Sequence, residues 1–113
     1  MKKLCVLLLL AAPFALQFCS SSKNAAKVIP NISYTTNVQP LILANCSPCH
    51  IPPKGRIKAL DTYASAKDNI DDVLIRVNKN PDEKGFMPFK HPKLADSTIN
   101  VLLQWKKDGL LEN

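Results

Sequence analysis

The sequence predicts an all-α fold, with three to four short helices separated by two proline-rich loops. Three observations carry this expectation. Apolar residues recur at intervals of three and four in each candidate segment, as they do along one face of a helix. No segment alternates apolar and polar residues as a half-buried strand would. Prolines and glycines gather in Ile51–Ala59 and Asn78–Pro92, where they punctuate the periodic pattern. The 113 residues hold one small domain at most, which excludes a large multi-domain enzyme.

The N-terminal 18 residues, MKKLCVLLLLAAPFALQF, read as a targeting segment and not as part of the fold. Lys2 and Lys3 form a basic start, and the 13 apolar residues from Leu4 to Leu16 fall short of the roughly 20 that span a bilayer. Leu16 lies three residues before Cys19, and Ser20, Ser21 and Ser22 follow at once. This arrangement resembles a bacterial lipoprotein signal. The resemblance implies that residues 1–18 are removed, that Cys19 is lipidated, and that several acyl chains hold the protein on a membrane. Phe18 departs from the pattern, since the family usually has a small residue there. An ordinary secretory signal cut nearby is the alternative, and on either reading the mature domain is exported to the cell envelope, facing the periplasm. Residues 19–33 have no apolar periodicity and read as a tether, which leaves 34–113 for the folded domain.

Within that domain, Asn37 is expected to cap a first helix with Pro40 in its first turn, where a missing N–H costs little. Val38, Leu41, Ile42, Cys46 and Cys49 are spaced by three or four, so the apolar stripe runs directly into two cysteines. Asp61 offers a cap for a short helix to about Lys67. A second stretch, from Asn69 to about Val77, places Ile70, Val73, Leu74 and Val77 on one face. The last helix is expected to start at Asp96 or Ser97 and to stop at Gly109. Ile99, Leu102 and Leu103 form its stripe, extended by Val101 and Trp105, and Lys106 and Lys107 suit the negative end of its dipole.

Cys46-Ser47-Pro48-Cys49-His50 is a C-x-x-C-H motif, the attachment sequence of c-type haem. Residues three apart share a helical face, so both thiols can reach the vinyl groups along one edge of a porphyrin. The following imidazole can then bind iron from below as the proximal ligand. A disulfide-exchange pair is one alternative, but such motifs open a helix after a strand, whereas this pair closes a helix. Zinc held by Cys46, Cys49, His50 and His91 is another, although a histidine directly after the second cysteine is poorly placed for the same tetrahedral ion.

An apolar helix entering C-x-x-C-H, a loop with Gly85-Phe86-Met87-Pro88, and a leucine-rich terminal helix with Trp105 resemble a small class I cytochrome c over about Tyr34–Leu111. The resemblance implies a cytochrome c-type fold wrapped around one covalently bound haem, with Met87 as the sixth iron ligand. Met87 is the only methionine of the mature chain and stands 37 residues after His50. Its bland reading is core filling beside Phe86 and Phe89, and His91 is a rival ligand. His50 is expected to donate its free ring N–H to a carbonyl of the Ile51–Gly55 loop, by resemblance that of Pro52 or Pro53. Lys54, Arg56 and Lys58 could face haem propionates or simply be solvated. Trp105 is expected to pack the last helix onto the first and the haem edge. Its N–H could reach a propionate, though core packing is the better reading.

An iron with both axial positions filled by protein has no open site for a substrate, so an electron carrier is expected and not an enzyme. The mature chain carries 13 Lys+Arg against 9 Asp+Glu, a balance of +4 that steers towards an acidic redox partner and is too mild for nucleic acid. A haem-based gas sensor or enzyme subunit with a labile distal ligand, and a zinc or thiol-redox protein, are the alternatives. No disulfide is expected: Cys5 leaves with the signal, Cys19 carries lipid, and Cys46 and Cys49 hold haem. Only Tyr34, Tyr63, Phe86, Phe89 and Trp105 remain as core aromatics, so the flat cofactor is expected to complete a thin core. Haem-free protein should then be largely unfolded.

Overall fold

The computed structural model describes residues 30–55 and 57–113. Cys5 and the rest of the expected signal segment, Cys19, the tether as far as residue 29, and Arg56 lie outside the described residues. Three α-helices form the domain: α1 (Gln39–Cys46), α2 (Tyr63–Asn78) and α3 (Asp96–Lys107). A π-helical turn, Tyr34–Val38, leads straight into α1. Among the described residues there is no strand beyond an isolated bridge between Ser33 and Leu111, so the fold is all-α.

The helix starts differ from expectation in ways that local chemistry explains. Asn37 does not cap α1; its side-chain oxygen accepts the Ser33 N–H at 3.0 Å inside the π turn, and Pro40 occupies the first turn of α1 as expected. The two short helices expected between Thr62 and Val77 are one continuous helix, α2. Its cap is Thr62 and not Asp61, because Thr62 and Ser65 exchange side-chain and backbone hydrogen bonds in a capping box. Asn69, expected to open a new helix, lies inside α2, where its side-chain amide donates to the Ser65 carbonyl at 2.8 Å. Ala95 takes the cap position of α3, with no side-chain cap bond. Asp96 lies in the first turn, where it meets the positive end of the dipole. Gly109, with φ 92, follows the last residues of α3 as expected.

The core is one cluster drawn from all three helices and the loop residue Leu60. Val38 and Ile42 come from the first helical segment, Ala66, Ile70 and Leu74 from α2, and Leu102 and Trp105 from α3. Leu103 was expected in the α3 stripe but is 44% exposed, because the stripe follows the spacing Ile99, Leu102, Trp105. The rings of Tyr34, Tyr63 and Trp105 meet at centroid distances of 5.8–6.4 Å.

These rings lie where the two ends of the domain meet. The Leu111 carbonyl accepts both the Tyr34 N–H and the Trp105 indole N–H, each at 2.8 Å. Tyr63 Oη–H donates to the Leu110 carbonyl, and Asp108 accepts the Ile32 N–H. Ile32 and buried Ser33, at the end of the expected tether, are therefore part of the packed unit. Trp105 is fully buried and uses its N–H on Leu111, in line with the core packing expected of it.

Candidate functional site

α1 ends at Cys46 because Ser47 turns to extended backbone (φ −77, ψ 153) ahead of Pro48. The chain then curls into a turn in which the His50 N–H donates to the Cys46 carbonyl at 3.0 Å and the Ile51 N–H to that of Pro48 at 3.3 Å. The following loop closes back onto this turn. Leu60 N–H donates to the His50 carbonyl at 2.9 Å, and Gly55 N–H to that of Ile51 at 3.0 Å. Gly55 comes so close that a Cβ there would strike the Cys49 carbonyl, so only glycine permits the packing.

The loop also orients the imidazole. His50 Nδ1 lies 2.8 Å from the Lys58 carbonyl. A carbonyl can only accept, so Nδ1 carries the proton and the free lone pair belongs to Nε2. The expected orienting carbonyl of Pro52 or Pro53 is thus replaced by that of Lys58. Loop closure through Leu60 brings this carbonyl to the ring, which sequence proximity alone did not indicate.

The Met87 loop is held against the C-terminal turn of α2. Met87 N–H donates to the Arg76 carbonyl at 3.2 Å, and Phe86 beside it is buried. A cavity of about 320 Å³ with a chiefly apolar lining is formed there. Cys46, Cys49, His50 and Met87 all line it, as do Leu60, Val73, Val77 and Pro88. Its size falls at the small end of ordinary ligand pockets of roughly 300–1,000 Å³. Ile57 and Phe89 stand at the cavity with most of their surface exposed, so Phe89 does not serve the core.

Of the other expected contacts, His91 lines the cavity from an exposed position. Lys58 lines it too and approaches Asp72 at 3.7 Å, whereas Lys54 is not part of the lining. Two charged residues of the wall, Asp72 and Arg76, were not singled out from the sequence. Their signal was present as an acid–base pair four apart on α2, beside the Val73–Val77 stripe. Arg76 Nε donates to Asp72 Oδ2 at 2.9 Å, and this bond is the main reason the Asp72 carboxyl lies below its ordinary value.

The donor set discriminates among chemistries. Burial pushes the Cys46 thiol up to about 11, and the pair sits near the negative end of the α1 dipole. Exchange cysteines need the opposite, a stabilised thiolate. Among the described residues no three His, Cys, Asp or Glu side chains converge as a metal-binding group, so the four-ligand zinc set is not assembled. Two thiols three residues apart, an imidazole with Nε2 free, and a thioether, all lining one apolar cavity, are the donor types that could hold a c-type haem. Compared with known proteins, the chain matches no family model, no curated protein and no solved structure.

Proposed function

We propose that this chain is a monohaem c-type cytochrome that passes single electrons between redox partners in the bacterial cell envelope, tethered to a membrane through Cys19. The observation that carries the reading is that Cys46, Cys49, His50 and Met87 all line one apolar cavity. Nothing in local sequence requires residues 37 apart to share a cavity.

In this reading Cys46 and Cys49 would be the thioether attachment points, and His50 and Met87 would ligate the iron. A bound haem supplies reversible one-electron chemistry. The chain's own contribution is to orient His50 through the Lys58 carbonyl, which raises the basicity of Nε2. Apolar wall residues such as Leu60, Val73 and Val77 would keep water from a group bound in the cavity. Met87, a weak soft donor, favours the reduced state more than a second histidine would. Exposed Phe89 and Ile57 leave the cavity mouth accessible to a docked partner.

The test is the absorption spectrum of protein made with a haem-attachment system. It should show covalently bound haem and a sulfur-to-iron charge-transfer band in the ferric form. Met87→Ala should lose that band, with Met87→His restoring a six-coordinate spectrum. A colourless, correctly processed product overturns the reading in favour of a zinc or thiol protein. An unchanged band in Met87→Ala overturns the ligand assignment, and fast, tight carbon monoxide binding to the reduced wild type marks an open site and a sensor.

A further inference from the structure

We infer that Arg76 is a positioning residue for Met87, an inference that rests on Met87 being the distal ligand. Arg76 occupies the last turn of α2, on the cavity wall, and meets the Met87 loop twice. Its own carbonyl accepts the Met87 N–H at 3.2 Å. Its guanidinium Nη1 lies 3.5 Å from the Gly85 carbonyl, two residues before Met87. The direction of that guanidinium is set one turn earlier, where Nε donates to Asp72 Oδ2.

Gly85 is shaped for this contact. It has φ 86, and a Cβ would come within 3.3 Å of Nη1, so the bare backbone lets the arginine lie against it. Phe86 is buried directly after it, and Lys79 Nζ donates to the neighbouring Lys84 carbonyl at 3.0 Å. The turn that carries Met87 is thus gripped from one place, the C-terminal end of α2.

The physical consequence concerns a weak ligand on a loop. A thioether stays in place only while its backbone does, and groups behind a ligand set its orientation. A guanidinium already fixed by a carboxylate loses less rotamer freedom on bonding the loop than an unfixed one. Without that grip the loop samples positions with Met87 away from the cavity. A competing ligand then binds with an apparent affinity that rises with the fraction of time Met87 is away.

The experiment uses the purified, haem-loaded protein and three variants, Arg76→Ala, Arg76→Lys and Asp72→Asn. The readouts are the affinity of the ferric form for imidazole and the hydrogen exchange of the Met87 amide. Arg76→Ala should bind imidazole at least fivefold more tightly and exchange the Met87 amide at least fivefold faster, with α3 amides within twofold of wild type. Arg76→Lys should fall between, and Asp72→Asn should shift in the same direction by a smaller factor. A merely structural role would speed all amides alike. Imidazole affinity within twofold of wild type, or Met87 exchange that rises no more than that of α3, overturns the inference. If Arg76→Ala does not fold, Arg76→Lys and Asp72→Asn decide, and unchanged imidazole affinity in both overturns it. Wild-type protein that carries no haem defeats the cytochrome reading instead, and the Met87 exchange comparison still decides whether Arg76 holds that backbone.

Discussion

Replacing Trp105 by phenylalanine probes the junction where the two ends of the domain meet. Trp105 is fully buried, with its indole N–H bonded to the Leu111 carbonyl at 2.8 Å. Losing that bond costs about 1 kcal/mol. The Leu111 carbonyl keeps the Tyr34 N–H, so no orphaned acceptor adds a desolvation penalty. The smaller ring buries about 40 Å² less apolar surface, worth about 1 kcal/mol. The sum of about 2 kcal/mol corresponds to a fall in melting temperature of about 8–16 °C for a domain of this size. Trp105→Ala, which also leaves a cavity beside Tyr34 and Tyr63, should cost about 3–5 kcal/mol. Urea unfolding followed by far-ultraviolet circular dichroism measures both, with the midpoint moving at constant slope. A Trp105→Phe protein within about 0.5 kcal/mol of wild type would show that the indole bond and its packing do not hold the chain ends together.

Other outcomes follow from the site. Gly55→Ala places a methyl on the Cys49 carbonyl and within 2.9 Å of the Ile51 nitrogen. It should cost more than about 1 kcal/mol and lower the covalent haem per chain seen by mass spectrometry, whereas wild-type loading and stability would refute the packing argument. Asp72→Asn should change the acid limb of stability. The Asp72 carboxyl is lowered, first by its bond from Arg76, with the charges of Arg76 and Lys58 adding and desolvation opposing. The unfolded chain therefore takes up this proton first as pH falls. The Asp72 contribution is present above the ordinary value of 3.8 and disappears as pH drops through the lowered folded value. Unfolding midpoints measured across that acid range should decline less steeply in Asp72→Asn, and identical slopes would sink the assignment.

Much of the site was legible because its chemistry is local. The spacing of Cys46, Cys49 and His50 is a property of five consecutive residues, and the helical stripe leading into them holds as far as Cys46, with Cys49 exposed in the turn beyond α1. Met87 was singled out through its loop and its resemblance to a known ligand. Arg76 and Asp72 were passed over because an acid–base pair four apart on a helix is common on solvated faces. Only the packing of the 79–89 loop against α2 gives the pair a role. The start of α2 was misplaced because Asp61 and Thr62 both offered a cap. Thr62 prevailed over Asp61 because Ser65 three residues on can return the bond.

By itself, the sequence determined the all-α class, the apolar stripes of the three helices, the proline-rich loops between them and the C-x-x-C-H spacing. All of these depend on backbone preference and on residues a few positions apart. The tertiary structure alone decided that Met87 shares a cavity with Cys46, Cys49 and His50, that Lys58 supplies the carbonyl for the imidazole, and that Trp105 spends its N–H on Leu111. Those outcomes depend on how two irregular loops close onto a packed helical core. Side-chain volumes and hydrogen-bond partners far apart in the chain set that closure, and short-range periodicity does not encode them.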